Sequence, residues 1–460
     1  MIEYFNLPIR NRRNVKISEN IFEFRKTPGL SNIIKFGNCN IIYSPLAGRI
    51  YNLSGKEFSL FERIPEKGVK RHPNLKNLIN SGILIPDKSD LPLNFFFKNK
   101  RPKEEKITLF LADKCNASCK YCYGGSETGL CLKFRLAKRI IDEFIKERKP
   151  EKLSVTFHGG GEPLLFLGLI NKITDYLKEK KIEAVFSTQT NGIISERARK
   201  WILKKTKSTA VSCDGPPEIQ DFQRPLKNGG KSSPFVEKTI KFLVGNDYKN
   251  LFVNIVVSSF SVSRMEETVK YFHNLGVKTI GFSLLSENKR SRKNKIYTPD
   301  LTQYLKNALK AVKLADDYKM KTRFELLSIN EPTFCFCGLP FFRFCVTPDG
   351  YISDCYETTS KNSGIKDFIY GSFDKKNNKI VYRKDRTDRL SKRLSENIKD
   401  CQKCYLKLVC AGDCAARVYR YTGDIFKPYL LRCKTRRKFM KRYLTYKAKR
   451  EFSLKDKRSD

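Results

Sequence analysis

The stretch that decides the fold is ITLFLADKCNASCKYC, residues 107–122, in which an apolar run is followed at once by three cysteines. The run Ile107–Ala112 has the length and apolar character of a strand buried on both faces. Cys115, Cys119 and Cys122 then follow with C-x3-C-x2-C spacing. Three thiolates on one short loop can bind three irons of a cubane cluster, which leaves the fourth iron open to a ligand. A zinc site is the alternative, although zinc sites usually have four ligands with C-x2-C pairs.

Five more apolar runs follow along the chain, and each precedes a segment of helical length, the last of them Leu301–Tyr318. The runs are Ser154–Phe157, Ala184–Ser187, Ala210–Ser212, Phe252–Val257 and Ile280–Leu285. This alternation predicts an α/β fold in which six parallel strands with right-handed crossovers form a partial (β/α)6 barrel. Ligands of such folds bind at the carboxyl ends of the strands.

The predicted strand ends carry glycine and small polar residues. The second strand ends in FHGGGEP, residues 157–163, where the glycines let the backbone approach a ligand and Glu162 suits an ammonium group. We expect His158 to orient this loop or to line the pocket. Asn191 and Ser212 follow the third and fourth strands, at the same rim, where they could bind a ribose. A plain turn is the alternative at each of these two positions.

In order, spacing and strand position, these elements resemble the radical S-adenosylmethionine (SAM) superfamily over residues 107–330. The resemblance implies that the three cysteines of the loop hold a 4Fe-4S cluster whose open iron binds the amino and carboxylate groups of SAM. It implies reductive cleavage of SAM to a 5′-deoxyadenosyl radical, with an electron donor such as flavodoxin or ferredoxin. The SAM contacts that it implies are Tyr121, Gly160, Gly161, Glu162, Asn191 and Ser212.

A second cysteine pattern lies between Cys337 and Cys433 and resembles the SPASM domain, which in that family binds two auxiliary 4Fe-4S clusters. Three clusters would then be present in all. One auxiliary cluster would use Cys337, Cys355 and Cys414, with either Cys345 or Cys335. The other would use Cys401, Cys404, Cys410 and Cys433. A zinc ribbon is the alternative for residues 401–433.

Composition and charge limit the class of protein. The chain has 460 residues with 91 Lys and Arg against 48 Asp and Glu, a net charge of +43 that favours an anionic partner or reflects a lysine-rich composition. No secretory signal and no run of about 18 apolar residues is present, so we expect a cytoplasmic protein without a membrane segment. In that compartment 15 cysteines indicate metal binding rather than disulfides.

The predicted domains follow from these patterns. They are a winged-helix-like unit (1–96), a linker (97–106), the radical SAM partial barrel (107–330), a loop-rich SPASM domain (331–435) and a basic tail (436–460) that is an amphipathic helix or a frayed end. Within the first unit, Ser54 and Glu57 form a capping box at a helix start. The unit resembles modules that bind a leader peptide as an added strand, and an acidic leader would suit the charge.

SPASM-type radical enzymes mostly act on peptides or proteins, so the resemblance implies a ribosomal-peptide maturase that forms thioether or carbon–carbon crosslinks. A formylglycine-generating sulfatase maturase is one alternative. That family has an aspartate directly after the cysteine at the position of Cys355, where this chain has Tyr356. An RNA-modifying radical enzyme and a zinc-stapled nucleic-acid-binding protein are the others. We do not expect nucleic acid as the partner, because no RNA-binding module is appended.

Overall fold

The computed structural model describes residues 3–6, 23–26, 31–36, 39–44, 49–65, 68–70, 72–81, 83–86, 104–124, 128–326, 335–338, 343–363 and 365–456. The chain divides into two compact units. The first contains Met1–Lys100, Leu326–Phe336 and Leu394–Asp460, and the second contains Arg101–Glu325 and Cys337–Arg393. Both ends of the chain therefore contribute to the same unit.

The strands are β1 (Glu3–Asn6), β2 (Glu23–Lys26), β3 (Ser31–Phe36), β4 (Cys39–Ser44), β5 (Arg49–Ser54), β6 (Val69–Lys70), β7 (Leu84–Pro86), β8 (Glu104–Phe110), β9 (Lys152–His158), β10 (Glu183–Thr190), β11 (Thr206–Ser212), β12 (Leu251–Val257), β13 (Thr279–Leu284), β14 (Lys321–Phe324), β15 (Cys345–Val346), β16 (Tyr351–Ser353), β17 (Ile369–Asp374) and β18 (Lys379–Tyr382). The helices are α1 (Gly55–Arg63), α2 (Lys76–Asn80), α3 (Phe134–Arg148), α4 (Leu167–Glu179), α5 (Glu196–Lys205), α6 (Pro217–Gln223), α7 (Ser233–Gly245), α8 (Met265–Asn274), α9 (Lys289–Lys293), α10 (Leu301–Asp317), α11 (Lys384–Ser391), α12 (Lys407–Cys410), α13 (Ala415–Thr422) and α14 (Leu430–Asp456). No helix among the described residues is long and apolar enough to cross a bilayer.

The first unit contains two antiparallel sheets, one in the order β1-β5-β4-β3 and one in the order β6-β2-β7. The predicted capping box is confirmed, because Glu57 N donates to Ser54 Oγ at 3.3 Å and Ser54 N donates to Glu57 Oε2 at 2.9 Å. Helix α14 packs on β3 and β4 in the same unit. Residues 436–456 are thus helical, and Phe439, Met440 and Leu444 form the centre of a buried apolar stripe.

The second unit confirms the predicted parallel sheet. Strands β8 to β13 lie side by side in chain order, all parallel, and helical segments follow each strand before the next begins. Phe157 packs edge-on against Trp201 of α5, so the face of β9 that carries Phe157 is the face covered by helices. Because side chains alternate along a strand, His158 points to the opposite, inner face. Phe110 is its register partner on β8 and points the same way.

The region expected to be loop-rich contributes regular structure to this sheet. β15 pairs in parallel with β8, and β16 to β18 continue the same sheet as antiparallel strands. A tight turn joins β15 and β16 into a hairpin. In this turn Gly350 N donates to Thr347 O at 2.9 Å, and Gly350 has a φ of +88°. A Pro-Asp-Gly sequence at residues 348–350 is a typical turn signal, so this hairpin could have been predicted. β14 adds a further parallel strand beside β13.

Candidate active site

The cysteine loop follows β8 and is held by main-chain hydrogen bonds to the last residue of α6 and to the segment after it. Ser118 N donates to Pro225 O at 2.8 Å, and Lys120 N donates to Gln223 O at 2.9 Å. The loop is therefore fixed by the protein itself, at the carboxyl edge of the parallel sheet where the sequence predicted it.

The three thiols of this loop lie close enough to influence one another. Burial, with a smaller contribution from a neighbouring thiol, raises the pKa of Cys115 and of Cys119 to about 11. Burial likewise raises the pKa of Cys122, and the Arg224 guanidinium opposes the rise at all three. Among the described residues, no group of three or more His, Cys, Asp or Glu side chains is placed to hold a single metal ion. A soft thiolate donor set beside a cation fits a cluster in which each cysteine binds a different iron.

Tyr121, within this loop, belongs to a buried polar network. Its hydroxyl donates to Asp214 Oδ2 at 2.5 Å and accepts from Arg224 Nη1 at 2.8 Å. Gln223 Nε2 also donates to Asp214 Oδ2, at 2.7 Å. Burial raises the pKa of Asp214, and the Arg224 guanidinium opposes that rise. The network fixes Tyr121 through its hydroxyl, so the predicted SAM contact at this residue is left to its main chain and ring.

The glycine loop after β9 lies against the cysteine loop. Gly161 N donates to Ala112 O and Glu162 N donates to Lys114 O, each at 3.0 Å. A Cβ on Gly161 would lie far inside van der Waals contact of the Lys114 carbonyl oxygen. A Cβ on Gly124 would come within 2.5 Å of the carbonyl oxygen of Gly160. These glycines therefore permit a backbone-to-backbone approach that no other residue would allow.

Glu162 is buried and joins the ends of two strands. Its Oε1 accepts from Thr190 Oγ1 at 2.8 Å and from Leu164 N at 3.0 Å, while its Oε2 accepts from Asn191 N at 2.7 Å. Burial raises the pKa of Glu162 to about 7, although these hydrogen bonds oppose the rise. A carboxylate has about four acceptor positions, so one remains for the predicted ammonium contact.

Asn191 links the third strand end to the cysteine loop. Its Nδ2 donates to Asn116 Oδ1 at 2.8 Å and lies 3.5 Å from Cys115 Sγ. Ser212, the last residue of β11, is buried and pairs in register with Asn254 of β12. The structure thus brings Asn191 to the cysteine loop. The ribose contacts assigned to Asn191 and Ser212 stay predictions.

The inner face of the sheet carries an aromatic stack that sequence reasoning identified only in part. His158 stacks on Tyr356 with ring centroids 4.8 Å apart, and the Arg343 guanidinium lies 4.3 Å from the Tyr356 ring centroid. His158 Nε2 and Gln189 Oε1 are 2.9 Å apart. Burial lowers the pKa of His158 to about 4, so its imidazole is neutral at pH 7. Arg343 was missed because no spacing connects it to β9, although the alternation of β9 places His158 on this face.

The other predicted cluster cysteines are distributed over both units. In the second unit, Cys337 is exposed with a φ of +65°, Cys355 is half-buried, and Cys345 is buried with a pKa that burial raises to about 12. Cys335, the alternative to Cys345, belongs to the first unit and is half-buried. The first unit also holds Cys401, Cys404, Cys410, Cys414 and Cys433.

Within the first unit, an acidic residue surrounded by arginines lies beside two of these cysteines. Asp413 Oδ2 accepts from Arg432 Nε at 2.8 Å, and Asp413 Oδ1 accepts from Arg436 Nη2 at 3.0 Å. Arg436 also donates to Cys410 Sγ. Cys433 lies near enough that Cys410 and Asp413 raise its pKa beyond the effect of burial, to about 11. Sequence reasoning missed this arrangement, because Arg432 and Arg436 stand one helical turn apart in a uniformly basic segment.

Comparison with known proteins identifies the family. Residues 109–271 match the radical SAM superfamily. The uncharacterized protein MJ0907 of Methanocaldococcus jannaschii is 31% identical over 242 residues, which span 49% of this chain and 81% of that protein. This chain belongs to the radical SAM superfamily. Membership of this superfamily implies a 4Fe-4S cluster and SAM. The assignment of Cys115, Cys119 and Cys122 as the ligands of that cluster stays a prediction.

Other proteins resemble this chain over shorter or more divergent stretches. The radical SAM cyclopropyl synthase TigE of Paramaledivibacter caminithermalis is 27% identical over 187 residues, which span 36% of this chain and 37% of that protein. The solved structure of anSMEcpe with bound AdoMet and Cp18Cys peptide has a TM-score of 0.57 at 19% identity, covering 75% of this chain and 99% of that one. Streptococcus suis SuiB bound to precursor peptide SuiA has a TM-score of 0.50 at 15% identity, covering 88% and 96%.

Proposed function

We propose that this radical SAM enzyme modifies a peptide, and that it does so by forming a thioether or carbon–carbon crosslink. A cyclopropyl synthase among its relatives, and the peptides bound to the two similar structures, support a peptide as the substrate class. The observation that carries the proposal is a second thiol site, in addition to the cysteine loop. In it, Arg436 donates a hydrogen bond to Cys410 and lies near Cys433.

A second redox site suits crosslinking because of the electron count. Joining two positions of a peptide removes one hydrogen atom, which passes to the 5′-deoxyadenosyl radical, and one further hydrogen as a proton plus an electron. That last electron needs an acceptor. An auxiliary cluster on Cys401, Cys404, Cys410 and Cys433 would accept it, and one on Cys337, Cys355 and Cys414 with Cys345 or Cys335 would complete the set of three.

The residues of the second unit have distinct roles in this proposal. The cysteine loop would hold the cluster that supplies one electron to SAM and so generates the radical. Gly160, Gly161 and the remaining acceptor position of Glu162 would bind the methionine end of SAM, with Tyr121, Asn191 and Ser212 toward its nucleoside. The neutral His158 and the Tyr356 ring line the inner face of the sheet, where the peptide would be held.

Tyr356 argues against formylglycine formation. Sulfatase maturases have an aspartate at this position, whereas here an aromatic ring stacks on His158 and contacts the Arg343 guanidinium. No proton acceptor therefore occupies the position that the alternative requires. For this reason we favour crosslinking over oxidation of a single cysteine or serine.

Co-expression tests the proposal. The enzyme is produced anaerobically with each short peptide encoded beside its gene, and the peptides are analysed by mass spectrometry. We expect loss of two hydrogens at a crosslink, and a reconstituted enzyme with about twelve irons from three cubane clusters. Replacing Cys115, Cys119 and Cys122 with alanine removes about four irons and abolishes 5′-deoxyadenosine. An aldehyde in place of the crosslink, or a modified RNA, would refute the proposal.

A second variant separates the two cluster regions. Cys410→Ala should leave 5′-deoxyadenosine formation intact, because the cysteine loop is unchanged. It should block the crosslink, because the proposed electron acceptor is lost. The matched control is Cys213→Ala, a buried cysteine of the second unit outside every proposed cluster. If Cys410→Ala also stops SAM cleavage with the first cluster intact, the assigned electron-acceptor role is wrong.

Leader-peptide binding by the first unit is also part of the proposal. Its four-stranded sheet ends in the edge strands β1 and β3, to which an extended leader could add. Because residues 394–460 belong to the same compact unit, deletion of residues 1–96 would disrupt more than the leader site. Titration of labelled precursor peptide into the full chain at two salt concentrations is the better test. A basic surface predicts weaker binding at high salt, and salt-insensitive binding would exclude an acidic leader.

A further inference from the structure

An exposed aromatic pair lies beside Lys120 of the cysteine loop. The rings of Phe222 and Phe260 stack with centroids 4.1 Å apart, although the residues are 37% and 41% exposed. Lys120 Nζ lies 3.5 Å from the Phe222 ring centroid. Two stacked phenylalanines this exposed retain apolar surface that a partner could bury, and aromatic residues are enriched in protein interfaces. We call Lys120, Phe222, Phe260 and helix α9 the loop-side patch.

The loop-side patch is built onto the cluster loop. Lys120 stands between Cys119 and Tyr121, and its main-chain N–H donates to Gln223 O at 2.9 Å. Helix α9 is attached to the same loop, because Arg290 Nη2 donates to Ser118 Oγ at 3.1 Å. Since neighbouring Cα atoms are about 3.8 Å apart, a protein bound here would lie one residue from a cluster ligand. That proximity is what electron transfer requires.

The charge of the patch is positive. Helix α9 has the sequence KRSRK, with four basic residues among five and no acidic one. Lys289 and Lys293 are exposed, whereas Arg292 is 3.2 Å from Glu287 and is partly neutralised. A partner with complementary charge would therefore be acidic.

We propose that the loop-side patch docks a small acidic electron-carrier protein that reduces the cluster of the cysteine loop. This inference rests on membership of the radical SAM superfamily and not on the peptide substrate. In the step it assigns, the reduced carrier loses one electron to the cluster. That electron then breaks a carbon–sulfur bond of SAM and yields methionine and the 5′-deoxyadenosyl radical. The exposed aromatic pair supplies the buried contact, and the lysines of α9 supply attraction and orientation.

The test compares two reductants in the absence of peptide, so that a wrong substrate assignment cannot affect it. Reduced flavodoxin is the protein probe, and dithionite is a small reductant that needs no docking surface. The variants are Phe222→Ala with Phe260→Ala, and Lys289→Glu with Lys293→Glu. Phe235→Ala, an exposed phenylalanine (49%) on α7, is the matched control. The readouts are 5′-deoxyadenosine formation and flavodoxin affinity measured by calorimetry.

We expect both double variants to weaken flavodoxin affinity about tenfold or more, as loss of a central aromatic or charged contact does. The flavodoxin-driven rate at limiting flavodoxin should fall in parallel, while the dithionite-driven rate and the iron content stay at the wild-type level. Phe235→Ala should match wild type throughout. An equal loss with both reductants would show that the patch supports the cluster rather than a partner. Unchanged flavodoxin affinity would also overturn the proposal.

Discussion

Replacing Asp413 with asparagine tests the charge balance in the first unit. Asp413 is 4% exposed and lies between Arg432 and Arg436, at 2.8 and 3.0 Å, with Arg417 at 3.8 Å. Asparagine keeps the shape and can still accept the hydrogen bond from Cys414 N. It also tolerates the backbone of Asp413, which has a φ of +68°. The substitution therefore removes the charge and, because an amide nitrogen only donates, also one of the two hydrogen bonds from Arg432 and Arg436.

The expected loss follows from the burial of the guanidinium groups. Removing one partner of a buried ion pair leaves an uncompensated charge and costs about 3–5 kcal/mol. Three arginines share this carboxylate, so we expect a value within that range rather than below it. The measurement is denaturant unfolding of the metal-free protein followed by circular dichroism. Hydrogen exchange of residues 410–440 then assigns the loss to this region, because the single tryptophan, Trp201, reports only on the second unit.

The pH dependence gives an independent check. Burial alone would raise the pKa of Asp413, but Arg432 and Arg436 hold it well below its ordinary value. A carboxyl group with a lowered pKa stabilises the folded state at neutral pH, and this contribution is lost as pH falls below the ordinary pKa of about 4. The difference between wild type and Asp413→Asn should therefore be constant near neutrality and shrink in acid.

Glu62→Gln is the matched control, because it removes an exposed carboxylate of the same unit and should change stability by no more than about 0.5 kcal/mol. A loss of less than about 1 kcal/mol in Asp413→Asn, in the surface range, would refute the argument from buried charge.

Three further predictions concern the second unit. Gly161→Ala should abolish SAM binding in equilibrium dialysis, because its Cβ would collide with the Lys114 carbonyl, whereas Gly168→Ala, which meets no atom within 4 Å, should bind normally. The His158 resonances should report a neutral ring at pH 6 and titrate near pH 4, and a titration near the ordinary 6.5 would contradict the burial of the ring. Because the pKa of Glu162 is raised from 4.5 to about 7, its contribution to stability falls as pH rises through that interval, so Glu162→Gln should lose less stability than wild type between about pH 5 and pH 7.

Local sequence signals predicted the parts of the molecule that depend on local physics. Period and apolar character located the six parallel strands, although β8 begins at Glu104, inside the predicted linker. The capping box of Ser54 and Glu57 was predicted because both partners stand within one helical turn. The cysteine loop was also predicted, because its three cysteines lie within eight consecutive residues.

Long-range pairing was not predictable in the same way. The parallel pairing of Cys345 with Thr108 joins segments far apart in the chain. The strand β15 has only two residues, which is too short for a periodic pattern of side chains. The network of Tyr121, Asp214 and Arg224 has the same origin, because three separate segments supply its members. When the role of a side chain depends on a partner far away in the sequence, the residues beside it in the sequence do not indicate that role.

The assembly of the first unit from both ends of the chain has a consequence for biosynthesis. The strands before Lys100 leave the ribosome first, yet the segment from Leu394 onward, which completes their unit, is made last. At roughly 5–20 residues per second, translation of the intervening residues 101–393 takes on the order of tens of seconds. The second unit can become compact during that interval, except for strands still to be made. The N-terminal strands are meanwhile without the helix that packs on β3 and β4, so a nascent chain stalled before Leu394 would expose them to chaperones and proteases.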